Sequence, residues 1–325
     1  MMHKQENLAP LPSLWRTIAT GFDLTTRHLW LLILPVCLDA FLWLGPRLSS
    51  RPLIEQLAAL LPQDPALQDI TAQLLTMAPR TNLFTALSAP LVGIPVLMVG
   101  LTPEKTPLPT PITEINNPLT WLGLFLALSL FAILLTALYN VLIAQAVRLD
   151  YKETPLSASV LANRFMTTWL KLLGLGLIFV VIGVTLYIPL LVISFIAAFF
   201  SQFLATMVLM AGPVLLIWFF IFVYFVPHSL ALHGLPLHRA ILLSGQIVRT
   251  YFGQMLLLLL VILLFRNVLG ALLLLADDGS WLTAVGLLGH AFIMTALVSA
   301  TYVFFRDRYI FLFEQQKLTQ GFANG

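Results

Sequence analysis

Between Lys171 and Arg239 the chain has no Asp, Glu, Lys or Arg, and most of the residues in that interval are Leu, Ile, Val, Phe and Ala. A helix that crosses a bilayer needs only about 20 apolar residues. The interval is therefore long enough for two crossings, and no water-soluble domain has an interior able to hide it. Lipid is the medium this sequence demands. The rest of the chain agrees, being 59% hydrophobic and 10% charged, where ordinary globular domains are roughly a quarter charged. A net charge of +3, without clustered Lys and Arg interleaved with aromatics, gives no footing for nucleic acid. The single cysteine, Cys37, lies inside an apolar run, which excludes a disulfide framework and a thiolate metal site.

The apolar runs predict an all-α, polytopic transmembrane bundle forming one domain over residues 1–325. Six spans are expected, at about 28–45, 119–147, 170–198, 204–226, 253–276 and 281–304. The first follows a long polar lead, and no small-x-small cleavage pattern follows Leu44-Gly45-Pro46, so it reads as a retained span rather than a signal. Pro189 and Pro213 fall inside spans and should kink them. Ahead of the first span, Leu14, Ile18 and Phe22 recur at helical spacing opposite Arg16 and Arg27, the pattern of an amphipathic helix on the membrane surface. Residues 155–168 and 236–251 also begin at proline and run as basic amphipathic segments. The chain thus reads as three units of surface helix plus hairpin, produced by triplication or by a shared topological constraint.

Residues 47–118 form an insertion. Leu53, Leu57 and Leu60, then Leu67, Ile70 and Leu74, suggest two short amphipathic helices on either side of Pro62-Gln63-Asp64-Pro65. Leu83–Leu101 is apolar but interrupted by Pro90, Gly93 and Pro95, and charge decides whether it crosses. With six spans, Lys4, Arg16, Arg27, Arg148, Lys152, Arg164, Lys171, Arg239, Arg249, Arg306, Arg308 and Lys317 share one side; only Arg47, Arg51, Arg80 and Lys105 take the other. That bias marks the rich side as cytoplasmic, with both termini there. A seventh crossing would place Arg148, Lys152 and Arg164 beside Asp277-Asp278 and spoil it. Residues 83–101 are therefore expected to be interfacial or re-entrant.

Ionisable groups at membrane depth are costly and usually pair or line a cavity. Counting helical rise across a core of about 30 Å puts Asp39, Arg266 and His290 near the midplane. An Asp39–Arg266 ion pair is expected, with Asn267 or His290 as a further partner, and Asn140 bonding across helices from the small-polar seam Ala132, Thr136, Asn140, Ala144. This candidate polar cluster of Asp39, Asn140, Arg266, Asn267 and His290 reads as a structural lock or as a proton relay or solute site. One carboxylate without a second acid favours the lock. His228, His233 and His238 step by five residues, a rotation that does not converge on a metal. No phosphate-cradling loop, His-Glu-x-x-His, nucleophile elbow or paired acids appear. Neither a metal nor another cofactor is expected.

The run Pro227-His228-Ser229-Leu230-Ala231-Leu232-His233-Gly234-Leu235-Pro236, continuing through Ala240-Ile241-Leu242-Leu243-Ser244 to Val248-Arg249, and the closing Thr301-Tyr302-Val303-Phe304-Phe305-Arg306-Asp307-Arg308, resemble uncharacterised bacterial six-span membrane proteins. Those are related to the membrane domain of glycerophosphodiester phosphodiesterases. The resemblance implies a cytoplasmic amphipathic helix between the fourth and fifth spans. About seventeen residues follow Arg308, too few for the hydrolase domain of the enzymatic relatives, so it implies no catalytic residue.

The reading that follows is a non-catalytic, multi-pass protein of the bacterial cytoplasmic membrane, structural, regulatory or binding membrane lipids or a protein partner. The alternative is a small-solute or lipid transporter or channel, for which the midplane polar residues and the two kinks speak. An intramembrane enzyme would need a positioned acid–base pair beyond Asp39 with His290.

Overall fold

The computed structural model describes residues 11–61, 65–88, 93–99, 102–103, 105–273 and 279–323. Helix α1, Leu14–Arg27, starts where Ser13 Oγ accepts the Arg16 amide at 3.3 Å, satisfying one of the orphan donors of a helix start. A 3-10 turn, Leu29–Leu32, leads into α2, Ile33–Leu44. The insertion then builds β1 (Arg47–Ser49), α3 (Arg51–Leu60), α4 (Pro65–Met77), 3-10 turns at Ala78–Arg80 and Leu83–Ser88, and β2 (Ile112–Glu114). Strands β1 and β2 pair in parallel, Arg47 opposite Ile112 and Ser49 opposite Glu114, tying the two ends of the insertion together.

Helix α5, Pro118–Asp150, has proline at its first position, and Asn117 Oδ1 accepts the Leu119 and Thr120 amides at 2.8 and 3.3 Å. Proline is pre-set for that site and asparagine caps it. There follow α6 (Ala158–Ala198), α7 (Gln202–Val223), α8 (Val226–His233), α9 (Leu237–Thr250), α10 (Phe252–Leu273) and α11 (Leu282–Ala323). Only Phe199–Ser201 separates α6 from α7, and Ser194 Oγ bonds the Ala205 carbonyl at 2.9 Å across the hairpin. Both helices run unbroken through Pro189 and Pro213.

Five stretches are long and apolar enough to cross a membrane: Pro118–Asp150, Ala158–Ala198, Gln202–His233, Phe252–Leu272 and Leu282–Phe313. A sixth exists if Leu14–Arg27 and Leu29–Leu44, which meet at 92°, form one span. Taken alone Leu29–Leu44 is about 24 Å long at 1.5 Å per residue, short of a core of about 30 Å. The span expected over 28–45 thus reaches crossing length only together with Leu14–Arg27. The surface helix expected over 155–168 is the first part of α6: between Ala158 and Leu173 the chain has no glycine or proline to interrupt it, and α6 reaches about 61 Å. Likewise α11 continues past the expected end at 304. The acidic turn Asp277-Asp278, the Pro62-Gln63-Asp64 break and Pro90 lie outside the described residues.

Two compact units can be told apart within the chain: Met1–Thr17, Asn140–Leu258 and Thr301–Gly325 form the first, and Ile18–Tyr139 with Leu259–Ala300 the second. Helices α1, α5, α10 and α11 contribute residues to both.

In the second unit α1 is docked rather than free on a surface. Its buried stripe Ile18, Gly21, Leu24 and Thr25 meets α11. A Cβ on Gly21 would lie 2.5 Å from the Ala296 carbonyl oxygen and 2.6 Å from the Ala300 nitrogen, so only glycine permits this approach. Thr25 Oγ1 bonds Ser299 Oγ at 3.4 Å, and Phe22 meets Phe292 edge to face.

In the first unit the core is aromatic. Phe225 stacks on Phe304 at 5.7 Å and touches Phe305, all three buried. Ser244 Oγ of α9 donates to the Phe222 carbonyl at 2.7 Å and accepts the Phe225 amide at 3.1 Å. One hydroxyl thereby satisfies the backbone where α7 gives way to α8.

Candidate functional site

Asp39 is fully buried in the second unit, and its partner is the insertion rather than a helix. Its Oδ1 accepts the Leu97 amide at 2.8 Å and the Met98 amide at 2.9 Å, while Oδ2 is buried with no hydrogen-bond partner among the described residues. Residues 93–96 form neither helix nor strand, and a bend at 97 leads into a turn at 98–99, with Ile94, Val96, Leu97 and Met98 buried. The segment expected to be interfacial or re-entrant is therefore held by a carboxylate that satisfies two consecutive amides of its turn. Charge-assisted bonds of this kind are the strong class.

The expected Asp39–Arg266 ion pair is not formed. Arg266 is exposed on α10, and Asn267, exposed beside it, bonds back to the Leu263 carbonyl of its own helix at 2.9 Å. The reason is azimuth: Arg266 lies among the exposed residues 263–267 of α10, whereas Asp39 is turned into the interior. His290 is buried and its Nδ1 has no hydrogen-bond partner among the described residues. The same unit has Tyr139 Oη donating to Thr295 Oγ1 at 2.9 Å, between α5 and α11.

Asn140 belongs to the first unit, where its Oδ1 accepts the hydroxyl of Tyr302. Tyr302 packs on the His228 ring at 4.2 Å, and His228 Nε2 meets Thr301 Oγ1 at 2.7 Å. This chain of bonds joins α5, α11 and α8. The five predicted residues thus take separate places, and the expected cluster does not assemble. The three histidines also part: His228 is buried, His233 stacks on Tyr309 at 4.1 Å and His238 is exposed. Among the described residues no three metal-ligating side chains come together.

Two features escaped the sequence reading. Arg308 is fully buried: Nη2 donates to Gln254 Oε1 at 3.0 Å and to the Pro12 carbonyl at 3.4 Å, and the guanidinium lies 3.8 Å from the centre of the Phe304 ring. The second is a group of cations at the end of α8. Lys171 Nζ donates to the Gly234 and Leu235 carbonyls at 3.1 and 2.9 Å, and Arg148 Nη1 to the Leu232 carbonyl at 3.4 Å. Arg164 fills the space a side chain on Gly234 would take, and Gly234 has φ of +68°. Helix C-termini carry partial negative charge, which draws these cations in. Nearby, Glu153 is shared by Arg306 at 3.0 Å and Arg148 at 3.9 Å, and Arg306 covers the Tyr151 ring at 3.7 Å. Burial raises the Tyr151 hydroxyl above its ordinary value, and the Asp307 carboxylate adds to that. A glycine four residues past Leu230, after a stretch containing two histidines, was the available signal for a capped turn; nothing local announced which cations would gather on it.

Each unit also has a cavity. In the second unit one of about 380 Å³ is lined by Ser50, Asn82, Thr85, Val99, Trp121 and Phe125. Its polar groups are occupied: Trp121 Nε1 donates to Ser50 Oγ at 2.8 Å, and Asn82 Oδ1 accepts the Leu48 and Phe84 amides at 3.2 Å. Arg47, beside it in sequence, is buried, and the loss of water lowers its guanidinium below the ordinary value. In the first unit a groove of about 440 Å³ runs between α7 and α9. Comparison of the chain with family models, with curated proteins and with solved structures finds no match.

Proposed function

We propose that this chain is a non-catalytic, multi-pass protein of the bacterial cytoplasmic membrane, with both termini cytoplasmic, that acts by binding lipid or a partner rather than by chemistry. The observation that carries this reading is the use made of the buried polar groups. Asp39 holds the turn at Leu97 and Met98, Asn140 holds Tyr302, Tyr139 holds Thr295, and His228 holds Thr301. Each joins one segment to another. A structural role accounts for all of them. The resemblance to the membrane domains of glycerophosphodiester phosphodiesterases fits the same reading, because its bare membrane domains bring no catalytic residue.

A second reading, transport, draws on one observation: Asp39 Oδ2 and His290 Nδ1 are buried without hydrogen-bond partners among the described residues. The test separates the two. In proteoliposomes carrying an internal pH dye, the binding reading expects no proton leak above that of empty vesicles, for wild type and Asp39→Asn alike. A leak in wild type that Asp39→Asn abolishes would replace it with the transport reading.

A further inference from the structure

The groove between α7 and α9 has chemistry that changes along its length. On α9, Ile241, Gly245 and Arg249 follow one another at four-residue steps, and Gln246 lies three residues before Arg249. Residues at that spacing share a helix face, so the groove passes over about 12 Å from apolar to cationic. Its other wall is Phe222 and Val223 of α7. The Arg249 guanidinium lies 5.9 Å from the centre of the Phe222 ring, is exposed, and has no ion pair among the described residues. No Asp or Glu occurs from Thr154 to Ala276, and none of the residues lining the groove is acidic. The volume lies within the range of about 300–1,000 Å³ typical of small-molecule sites.

An amphiphile with an apolar tail and an anionic head matches this gradient; a peptide helix, apolar along a whole stripe, does not. We propose that the groove is a binding site for an anionic glycerophospholipid of the cytoplasmic leaflet, one acyl chain lying along Phe222, Val223 and Ile241 over Gly245, and the phosphate held by Arg249 and Gln246. The leaflet rests on the topology proposed above; the groove and its chemistry do not. Gly245 serves as the floor because a side chain there would meet nothing within 4 Å. That open space also allows the groove to be filled without disturbing the fold.

The experiment is native mass spectrometry of the full chain released from nanodiscs of phosphatidylglycerol mixed equally with phosphatidylcholine. Wild type is expected to retain one phosphatidylglycerol with about fivefold preference, the scale set by one basic residue beside an anionic headgroup. Gly245→Trp should abolish retention, Arg249→Gln should bring the two lipids to parity, and Arg239→Gln, a cation of the same helix outside the groove, should change neither. Equal retention of both lipids by wild type, full retention by Gly245→Trp, or displacement of the lipid by inorganic phosphate would each overturn the site. Thermal melting of Gly245→Trp at the wild-type temperature keeps its loss attributable to the groove. Sidedness is read separately, from labelling of His238→Cys in a Cys37→Ala background with an impermeant thiol reagent. Labelling from outside the cell would overturn the topology, and with it the leaflet, whereas lipid retention decides the groove.

Discussion

Gly21→Ala sets two opposing effects against each other at a position where the geometry determines the winner. In an ordinary helix interior the change is favourable, by up to about 1 kcal/mol, because alanine loses less backbone freedom on folding. Here the new Cβ would lie 2.5 Å from the Ala296 oxygen and 2.6 Å from the Ala300 nitrogen. Ordinary contact begins near 3.4 Å, so α1 must withdraw from α11 by about 0.9 Å, the difference of the two distances. A gap of that size forfeits a quarter to a half of the dispersion energy across it, along the buried stripe of Ile18, Leu24 and Thr25. Overpacking usually costs about 1–3 kcal/mol, and obstruction by backbone puts this case in the upper part of that range. The net expectation is a loss of about 1–2 kcal/mol. Gly183→Ala in α6, where a Cβ meets nothing within 4 Å, should instead be neutral or slightly stabilising. Unfolding by SDS in mixed micelles, followed by far-UV circular dichroism, measures both. Ala300→Gly should not restore Gly21→Ala fully, since two of its three close atoms are backbone. If Gly21→Ala matches or exceeds wild type while Gly183→Ala behaves as stated, α1 is not seated on α11 and the docking argument is wrong.

Asp39→Ala strands the amides of Leu97 and Met98, at about 1–3 kcal/mol each; hydrogen exchange at those two amides should accelerate, and Asp39→Asn, which keeps an oxygen in place, should accelerate them less. Gly234→Ala must adopt a left-handed conformation costing about 1–2 kcal/mol and displace Arg164, so its melting temperature should fall; an unchanged melt would deny that the turn is constrained. A double-mutant cycle of Tyr139→Phe with Thr295→Val should give a coupling of about 0.5–1.5 kcal/mol, and additivity would mean the hydrogen bond contributes nothing. Arg266→Leu, at an exposed site without an ion pair among the described residues, should alter stability in SDS unfolding by no more than about 0.5 kcal/mol, whereas a loss of several would indicate an inward partner.

Helix content and the apolar crossings were legible because each rests on a local signal, hydropathy over a window. The seating of α1 was half legible. Its apolar face could be read from Ile18 and Phe22, but a surface helix buries that face in lipid and a docked one in protein, and the periodicity is the same for both. Gly21 opposite Ala296 and Ala300 is the deciding contact, and it joins residues some 275 positions apart. The Asp39–Arg266 pair failed for a related reason. Depth along a helix follows from counting residues, but azimuth does not, and Arg266 points outward while Asp39 points inward. Asp39 found backbone amides instead of a cation, and no sequence pattern advertises a backbone donor.

The distribution of carboxylates gives these separate outcomes a common cause. Glu153 serves both Arg148 and Arg306, and from Thr154 to Ala276 no further acid follows, although Arg164, Lys171, Arg239, Arg249 and Arg266 do. A soluble domain would answer such cations with surface Asp and Glu. This chain answers them with neutral oxygen and π-density: Lys171 with the carbonyls at the end of α8, Arg249 with the ring of Phe222. Carbonyls and rings orient a cation but leave its charge uncancelled. In a bilayer the abundant anion is the lipid phosphate, and it is supplied by the medium rather than by the polypeptide. A sequence that omits carboxylates over so long an interval while keeping its arginines therefore depends on its solvent for electrostatic balance. The same dependence places Arg249 at the polar end of an apolar groove and leaves Arg266 facing outward.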